Sequence, residues 1–188
     1  MSLRKARAVF FACSNLGADG GYGNLWVRVE SKPVPFYFPN WPARVAAARL
    51  HDLHHIAANY KNDWSGEVEI SAWEIASGCG HYYAAWILNL GGWCAGLILA
   101  PRRLFRAFVR GGQARTNLYH CGFDDVDLDQ ITVGMLRDRL GLDAPPAPAR
   151  FRDVALFGFW SLLAIGSWCL VPLFGLAFIW LVLRGRLS

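Results

Sequence analysis

The feature that most constrains this chain is a run near its C-terminal end. Between Asp153 and Arg184 about thirty consecutive residues carry no charge, and they include Trp160, Trp168 and Trp180 with arginines on both flanks. An uncharged stretch of that length satisfies its backbone as a helix, and about 20 apolar residues suffice to cross a bilayer. The expectation is a transmembrane segment, a single tilted or kinked helix bent at Pro172 rather than a re-entrant hairpin. Arginines on both sides leave its orientation open.

Composition agrees with a membrane association. Apolar residues make up 54% of the chain and charged ones 18%, below the roughly one quarter of ordinary globular domains. The net charge of +5 suits an anionic partner, but the aromatics sit in uncharged runs rather than between basic residues, so lipid is expected and nucleic acid is not. Cys13, Cys79, Cys94, Cys121 and Cys169 are odd in number and form no CxxC pair, which argues against a zinc-thiolate site or a disulfide framework and for reduced thiols. The N-terminal apolar stretch is too short for a signal-peptide core or a spanning helix.

Residues 1–40 read as an irregular or stranded arm. From Ala8 onward Gly17, Gly20, Gly21 and Gly23 punctuate it, residues 25–30 alternate at period two, and Pro33, Pro35 and Pro39 oppose a helix. A phosphate loop would need a Lys-Ser/Thr pair and a following helix, which the glycines lack.

Pro42 then opens a helix that stops at the Lys61, Asn62, Asp63 turn. Val45, Leu50, Leu53 and Ile56 cover most of its circumference and leave a polar stripe of Arg44, His51, Asp52, His55 and Asn59. At about 100° per residue, His51 and His55 lie about 40° apart with Asp52 about 60° beyond, while His54 points elsewhere. A stripe on so apolar a helix must find partners inside the fold. A second helix over residues 65–77 carries Glu67, Ser71 and Glu74 on one face, and a tight turn between the two would return Glu67 to the histidines.

Two imidazoles and two carboxylates, His51, Asp52, His55 and Glu67, suit a divalent metal ion such as zinc, iron or manganese, with room for water or substrate. The plainer reading of the same residues is a buried network of histidine and carboxylate between helices. Ser71 and Glu74 are candidates to support the ligands from behind, and Glu67 and Asp52 are the candidate catalytic carboxylates.

Residues 82–100 are uncharged and suit either a spanning helix or a buried helix lining an apolar cavity. In the next segment Leu104, Phe105, Phe108 and Val109 form one face and Arg102, Arg103, Arg106 and Arg110 the other, the pattern of an interfacial helix on an anionic membrane or of a solvated surface helix. A helix is expected over residues 128–140, with Asp127 and Gln130 as a capping-box variant and Gly141 as its stop. A proline-rich linker follows at residues 143–150.

The spacing His-Asp-x-x-His, eleven residues, then Glu, with Gly66 directly before Glu67, resembles the signature of the Coq four family of coenzyme Q (ubiquinone) biosynthesis proteins. The apolar helix after the motif, TNLY at 116–119 and MLRDRLGLDAPP at 135–146 also look like parts of that family. The resemblance covers residues 42–146, strongly at the four candidate ligands and loosely elsewhere. It implies an all-helical, membrane-associated domain with a cavity for a polyprenyl lipid and a metal ion on His51, Asp52, His55 and Glu67. It also implies a place among other quinone-biosynthesis proteins, and oxidative decarboxylation in which a hydroxyl replaces the ring carboxyl of a prenylated precursor. An organising role in that complex is ascribed to the family as well. The arm and the C-terminal span are not parts of the resemblance.

The expectation is therefore an all-α fold: an arm at 1–40, a helical metal- and lipid-binding domain at 41–146, and a linker with a transmembrane anchor at 147–188. The membrane expected is a bacterial inner membrane with the metal site on its cytoplasmic side. The alternative is a non-catalytic lipid-binding scaffold with a structural metal. Membrane di-iron hydroxylases share the HxxHH string but need further histidine boxes, and only His81 and His120 remain. A zincin-like protease would have Asp52 in place of its glutamate, and a phosphohydrolase of the HD type needs a histidine upstream, whereas none precedes His51.

Overall fold

The computed structural model describes residues 1–14, 16–29, 35–121, 123, 127–145 and 147–186. In chain order its elements are α1 (Leu3–Cys13), β1 (Trp26–Val29), β2 (Phe36–Pro39), α2 (Pro42–Ala58), α3 (Trp64–Ser77), α4 (Tyr83–Leu99), α5 (Pro101–Gly112), α6 (Leu118–Cys121), α7 (Asp127–Gln130), α8 (Val133–Leu140) and α9 (Phe151–Arg186). The fold is mostly helical, as the sequence leads one to expect, with one short antiparallel strand pair.

The arm is more ordered than the sequence reading made it. β1 and β2 pair in the register Trp26 to Pro39 and Val29 to Phe36, but the chain begins with a helix. No glycine or proline interrupts residues 3–13, Ser2 caps the first turn by accepting the Lys5 N–H, and the helically spaced Leu3, Ala6 and Phe11 are buried. Pro33 of the arm lies outside the described residues.

The single helix expected at 128–140 is broken into α7 and α8. The break holds Ile131 and Thr132, where the backbone of Met1 to Leu3 docks: the Leu3 N–H donates to Ile131 O at 2.9 Å and the Val133 N–H to Met1 O at 3.1 Å. Thr132 then caps α8 by accepting the Met135 N–H. A pairing with the start of the chain is invisible to local propensity, which is why one helix was expected.

α3 packs against both α4 and α5, and small residues set the spacing. A Cβ at Gly111 of α5 would meet Trp73 O of α3 at 2.3 Å, so only glycine allows that approach. One core gathers Leu50, Leu53, Ile70, Trp73, Leu118 and Leu136, and a second gathers Val68, Trp93, Leu104 and Phe108. In that second core the apolar face of α5 is already covered: Leu104 and Phe108 are buried, and the Phe105 ring meets Phe157 of α9 at 5.1 Å. α5 therefore presents arginines, not an apolar face, to its surroundings.

α4 is 17 residues long, about 25 Å, and buries Asn89, Trp93 and Gly96 against the bundle while leaving Ile98 and Leu99 exposed. Among the described residues one helix is long and apolar enough to cross a membrane, Phe151–Leu170 of α9. One side of this stretch packs on the domain, with Trp160 stacked on Trp86 at 5.3 Å and the Trp93 Nε1–H donating to Ser161 Oγ at 3.1 Å. Phe159, Leu162 and Ile165 stay exposed. α9 runs 36 residues without interruption, about 54 Å; the side chain of Pro172, where a bend was expected, lies outside the described residues.

Candidate metal centre

The ligands are brought together by the turn between α2 and α3. α2 ends at Asn59, which adopts the left-handed conformation at φ 57 and donates its N–H to His55 O. Asp63 caps α3 by accepting the Gly66 N–H at 2.9 Å. Among the described glycines Gly66 has the closest neighbour: a Cβ there would stand 1.8 Å from Lys61 O. The turn closes only with glycine, and Glu67 is thereby returned against the last turns of α2. The carbonyls at the end of α2 are met by arginines, Ala57 O by Arg137 at 2.6 Å and Ala58 O by Arg110 at 2.7 Å.

His51 Nε2 and His55 Nε2 are 3.1 Å apart, His51 Nε2 is 3.4 Å from Glu67 Oε2, and His55 Nε2 is 3.3 Å from Glu67 Oε1. One donor atom from each of the three residues lies within 4.8 Å of the others, a cluster that could hold a metal ion. Four donors at 2.0–2.1 Å around an ion stand about 3.3 Å apart, so the observed edges fit. Glu67 keeps 39% of its side-chain surface accessible and His51 22%, while His55 is buried at 1%; the cluster therefore opens on the Glu67 side.

Both histidines are held from behind. His51 Nδ1 is 3.1 Å from Glu74 Oε1 and His55 Nδ1 is 3.3 Å from Tyr60 O. An ionised carboxylate and a carbonyl can only accept, so each Nδ1 carries the hydrogen and each Nε2 lone pair points at the shared centre. Glu74 is fully buried and accepts from His54 Nδ1 at 2.7 Å, Asn89 Nδ2 at 2.7 Å and Tyr119 OH at 3.0 Å as well. Burial alone would raise its pKa, but His51 and His54 hold it below the usual carboxylate range. His51 shows the complement: burial opposes its imidazolium, yet Glu74 and Glu67 raise its pKa well above the ordinary value. Glu67 is likewise lowered against its burial, by His55 and His51.

Asp52 is not among the converging donors. Its Oδ2 accepts the Tyr22 hydroxyl at 2.5 Å, and burial raises its pKa against the pull of His51. The structure thus brings His51, His55 and Glu67 together and sets Asp52 beside them on a residue of the arm. Of the two supporting candidates, Glu74 backs His51, whereas Ser71 packs on Gly92 of α4, where a Cβ would stand 2.1 Å from Ser71 Oγ. Of the arginines proposed for the membrane surface, Arg102, Arg103 and Arg106 are exposed, with Arg103 3.6 Å from Glu69, and Arg110 is turned to Ala58 and lies over the Tyr60 ring.

Four residues at or behind the centre were not singled out from the sequence. His54 is wholly buried, its Nε2 accepting the Leu118 N–H at 2.9 Å, which fixes the hydrogen on Nδ1. Asn89, a lone amide in an apolar helix, was the legible signal, since such a group needs a partner inside. Tyr119 reaches Glu74 from α6, and Tyr22 comes from a glycine-rich loop with no local mark of its role. Phe10 of α1 adds a ring 5.6 Å from that of His55. His81 is exposed and stacks on Tyr82.

Two imidazoles, which a metal ion would hold in the neutral form, and a carboxylate with an open side form a donor set used for zinc and for iron(II), in which a bound water or substrate completes the coordination. No known protein family, curated protein or solved structure matches this chain.

Proposed function

We propose that the chain is a membrane-bound, metal-dependent protein acting on the head group of a lipid that reaches it from the bilayer. In the specific form to which the resemblance points, it takes part in ubiquinone biosynthesis, in the oxidative decarboxylation of a prenylated aromatic precursor. The observation that carries the reading is the convergence of His51, His55 and Glu67 with both Nδ1 hydrogens fixed by Glu74 and the Tyr60 carbonyl. The apolar helix Phe151–Leu170, packed on α4, supports access from the membrane.

When bound, a divalent ion supplies Lewis acidity toward a carboxylate or lowers the pKa of a water. His51 and His55 would hold it through Nε2, and Glu67 through its carboxylate. Glu74 keeps the His51 ring oriented. Tyr22 keeps Asp52 beside the centre and out of the ligand set, so three protein donors leave a position free; a closed set of four would instead suit the scaffold reading. Replacing a ring carboxyl by hydroxyl takes up the oxygen of one water and releases carbon dioxide, two protons and two electrons, which an oxidant such as dioxygen must take.

The test is turnover by the purified full chain of a prenylated aromatic carboxylate, followed by mass spectrometry of product and carbon dioxide. Loss of product in Glu67→Ala supports the enzyme reading. Retained turnover in Glu67→Ala with its metal lost defeats that reading, and lipid bound without turnover by a metal-loaded wild type favours the scaffold.

A further inference from the structure

Arg44 stands on α2 seven residues before His51, about 10 Å along the same face, and Ala48 between them offers only a methyl group. Its Nη1 donates to Asn40 Oδ1 at 2.9 Å, and its guanidinium lies over the Phe38 ring at 5.9 Å. The Asn40 amide donates in turn to the carbonyls of Tyr22 and Asn24, in the loop that carries the Tyr22 hydroxyl to Asp52. Arg44 is thus built into the wall of the site.

Its buried Nε–H has no hydrogen-bond partner among the described residues. Other arginines here have met donors: Arg110 and Arg137 donate to backbone carbonyls at the end of α2, and Arg137 Nε donates to Asp143 as well. Burial disfavours the Arg44 charge, and Asp52, Tyr22 and Glu67 act in its favour. Yet Asp52 is bonded to Tyr22, and Glu67 lies against His51 and His55. Arg44 is a half-buried cation with one enclosed, unmet donor, one helix stripe from the candidate metal centre, and an anion would meet that donor. Nη1 is committed to Asn40, so the unmet Nε–H is the donor left for an oxygen of a carboxylate or phosphate.

We propose that Arg44 binds the anionic substituent, a carboxylate or phosphate, of the compound acted on at the His51, His55 and Glu67 centre, and so sets specificity for an anionic head group. The inference rests on reading that centre as a metal site, and its test separates the two.

The full chain, purified in detergent and loaded with zinc, is titrated with benzoate, phenyl phosphate and phenol. Wild type binds one of the anions, and Arg44→Gln weakens that binding about tenfold or more. Arg44→Lys restores part of it, phenol binding does not change, and bound metal per chain stays equal in all three proteins. Which anion responds identifies the source. Asn40→Ala removes the arm contact and keeps the guanidinium, so it retains anion binding. Equal affinity for both anions in wild type and Arg44→Gln, or no anion binding by wild type, overturns the proposal. So does loss of anion binding in Asn40→Ala that matches Arg44→Gln without rescue by Arg44→Lys. If wild type takes up no metal, the metal reading fails by itself, and the same titration of the metal-free chain still decides the role of Arg44.

Discussion

His51 Nε2 and His55 Nε2 face each other at 3.1 Å while the Nδ1 of each ring is spent on Glu74 or on the Tyr60 carbonyl. Two bare lone pairs that close repel, so the pair is stable only with a cation between or beside them, a proton in the metal-free chain or a metal ion otherwise. Removal of either imidazole leaves two donors. His51→Ala and His55→Ala are each expected to lose bound metal to a competing chelator that wild type resists.

Asp52 gives the sharpest contrast with the four-ligand expectation. Because its carboxylate is held by Tyr22, Asp52→Asn and Tyr22→Phe are expected to keep metal binding within about tenfold of wild type, whereas Glu67→Gln loses it. Elemental analysis of the three variants after dialysis checks this. Metal loss in Asp52→Asn equal to that in His51→Ala would return Asp52 to the ligand set.

Glu74 carries four side-chain partners in a fully buried position. Glu74→Ala leaves those donors unmet and should cost about 3–5 kcal/mol, as breaking a buried charged network does. Glu74→Gln retains the shape and one acceptor oxygen, folds, and binds metal about 10–100-fold more weakly, the usual loss when a supporting carboxylate is removed from a ligand histidine. Thermal unfolding and chelator competition measure the two effects separately.

The pH dependence follows from the signs of the shifts. The folded pKa of His51 is raised, so its contribution to the stability of the metal-free chain is full below about pH 6.5 and is lost as pH rises through the folded value. A metal ion takes the same Nε2 and must displace that proton, so zinc affinity should increase from about pH 6 to pH 8. Glu74 and Glu67 are lowered; their stabilisation is present above about pH 4.5 and is lost as pH falls. A zinc affinity, followed by the zinc-induced rise in melting temperature, that does not increase by about tenfold or more between pH 6 and pH 8 contradicts this.

Gly66→Ala is expected to destabilise the fold by about 3 kcal/mol or more, because its methyl would overlap Lys61 O. Gly134→Ala, where the nearest neighbour of a Cβ is Thr132 Oγ1 at 4.0 Å, is the control and should be nearly neutral. The comparison is read in urea or thermal unfolding.

The helix boundaries around the centre were legible because their signals are local: Pro42 at the start of α2, the Asn-Asp turn, and glycine at the end of α3. The antiparallel return of Glu67 followed from the shortness of that turn. Other features depend on contacts distant in sequence. α1 is stabilised by docking against α7 and α2, the break at Thr132 by the backbone of Met1 to Leu3, and the bond of Asp52 by Tyr22, thirty positions away. Of the arginine stripe of α5, Arg102, Arg103 and Arg106 are exposed and Arg110 turns to Ala58, while the partner of the apolar side is the protein itself. Length and lack of charge could not show that α9 would cover Trp93 and Phe108.

The central claim is that His51, His55 and Glu67 hold a metal ion, and metal content per chain tests it most directly. The full chain purified without added chelator, measured by inductively coupled plasma mass spectrometry beside a His51→Ala, His55→Ala double variant, is expected to carry about one divalent ion per chain, and the variant essentially none. No metal in the wild type, or equal metal in both, would contradict the account.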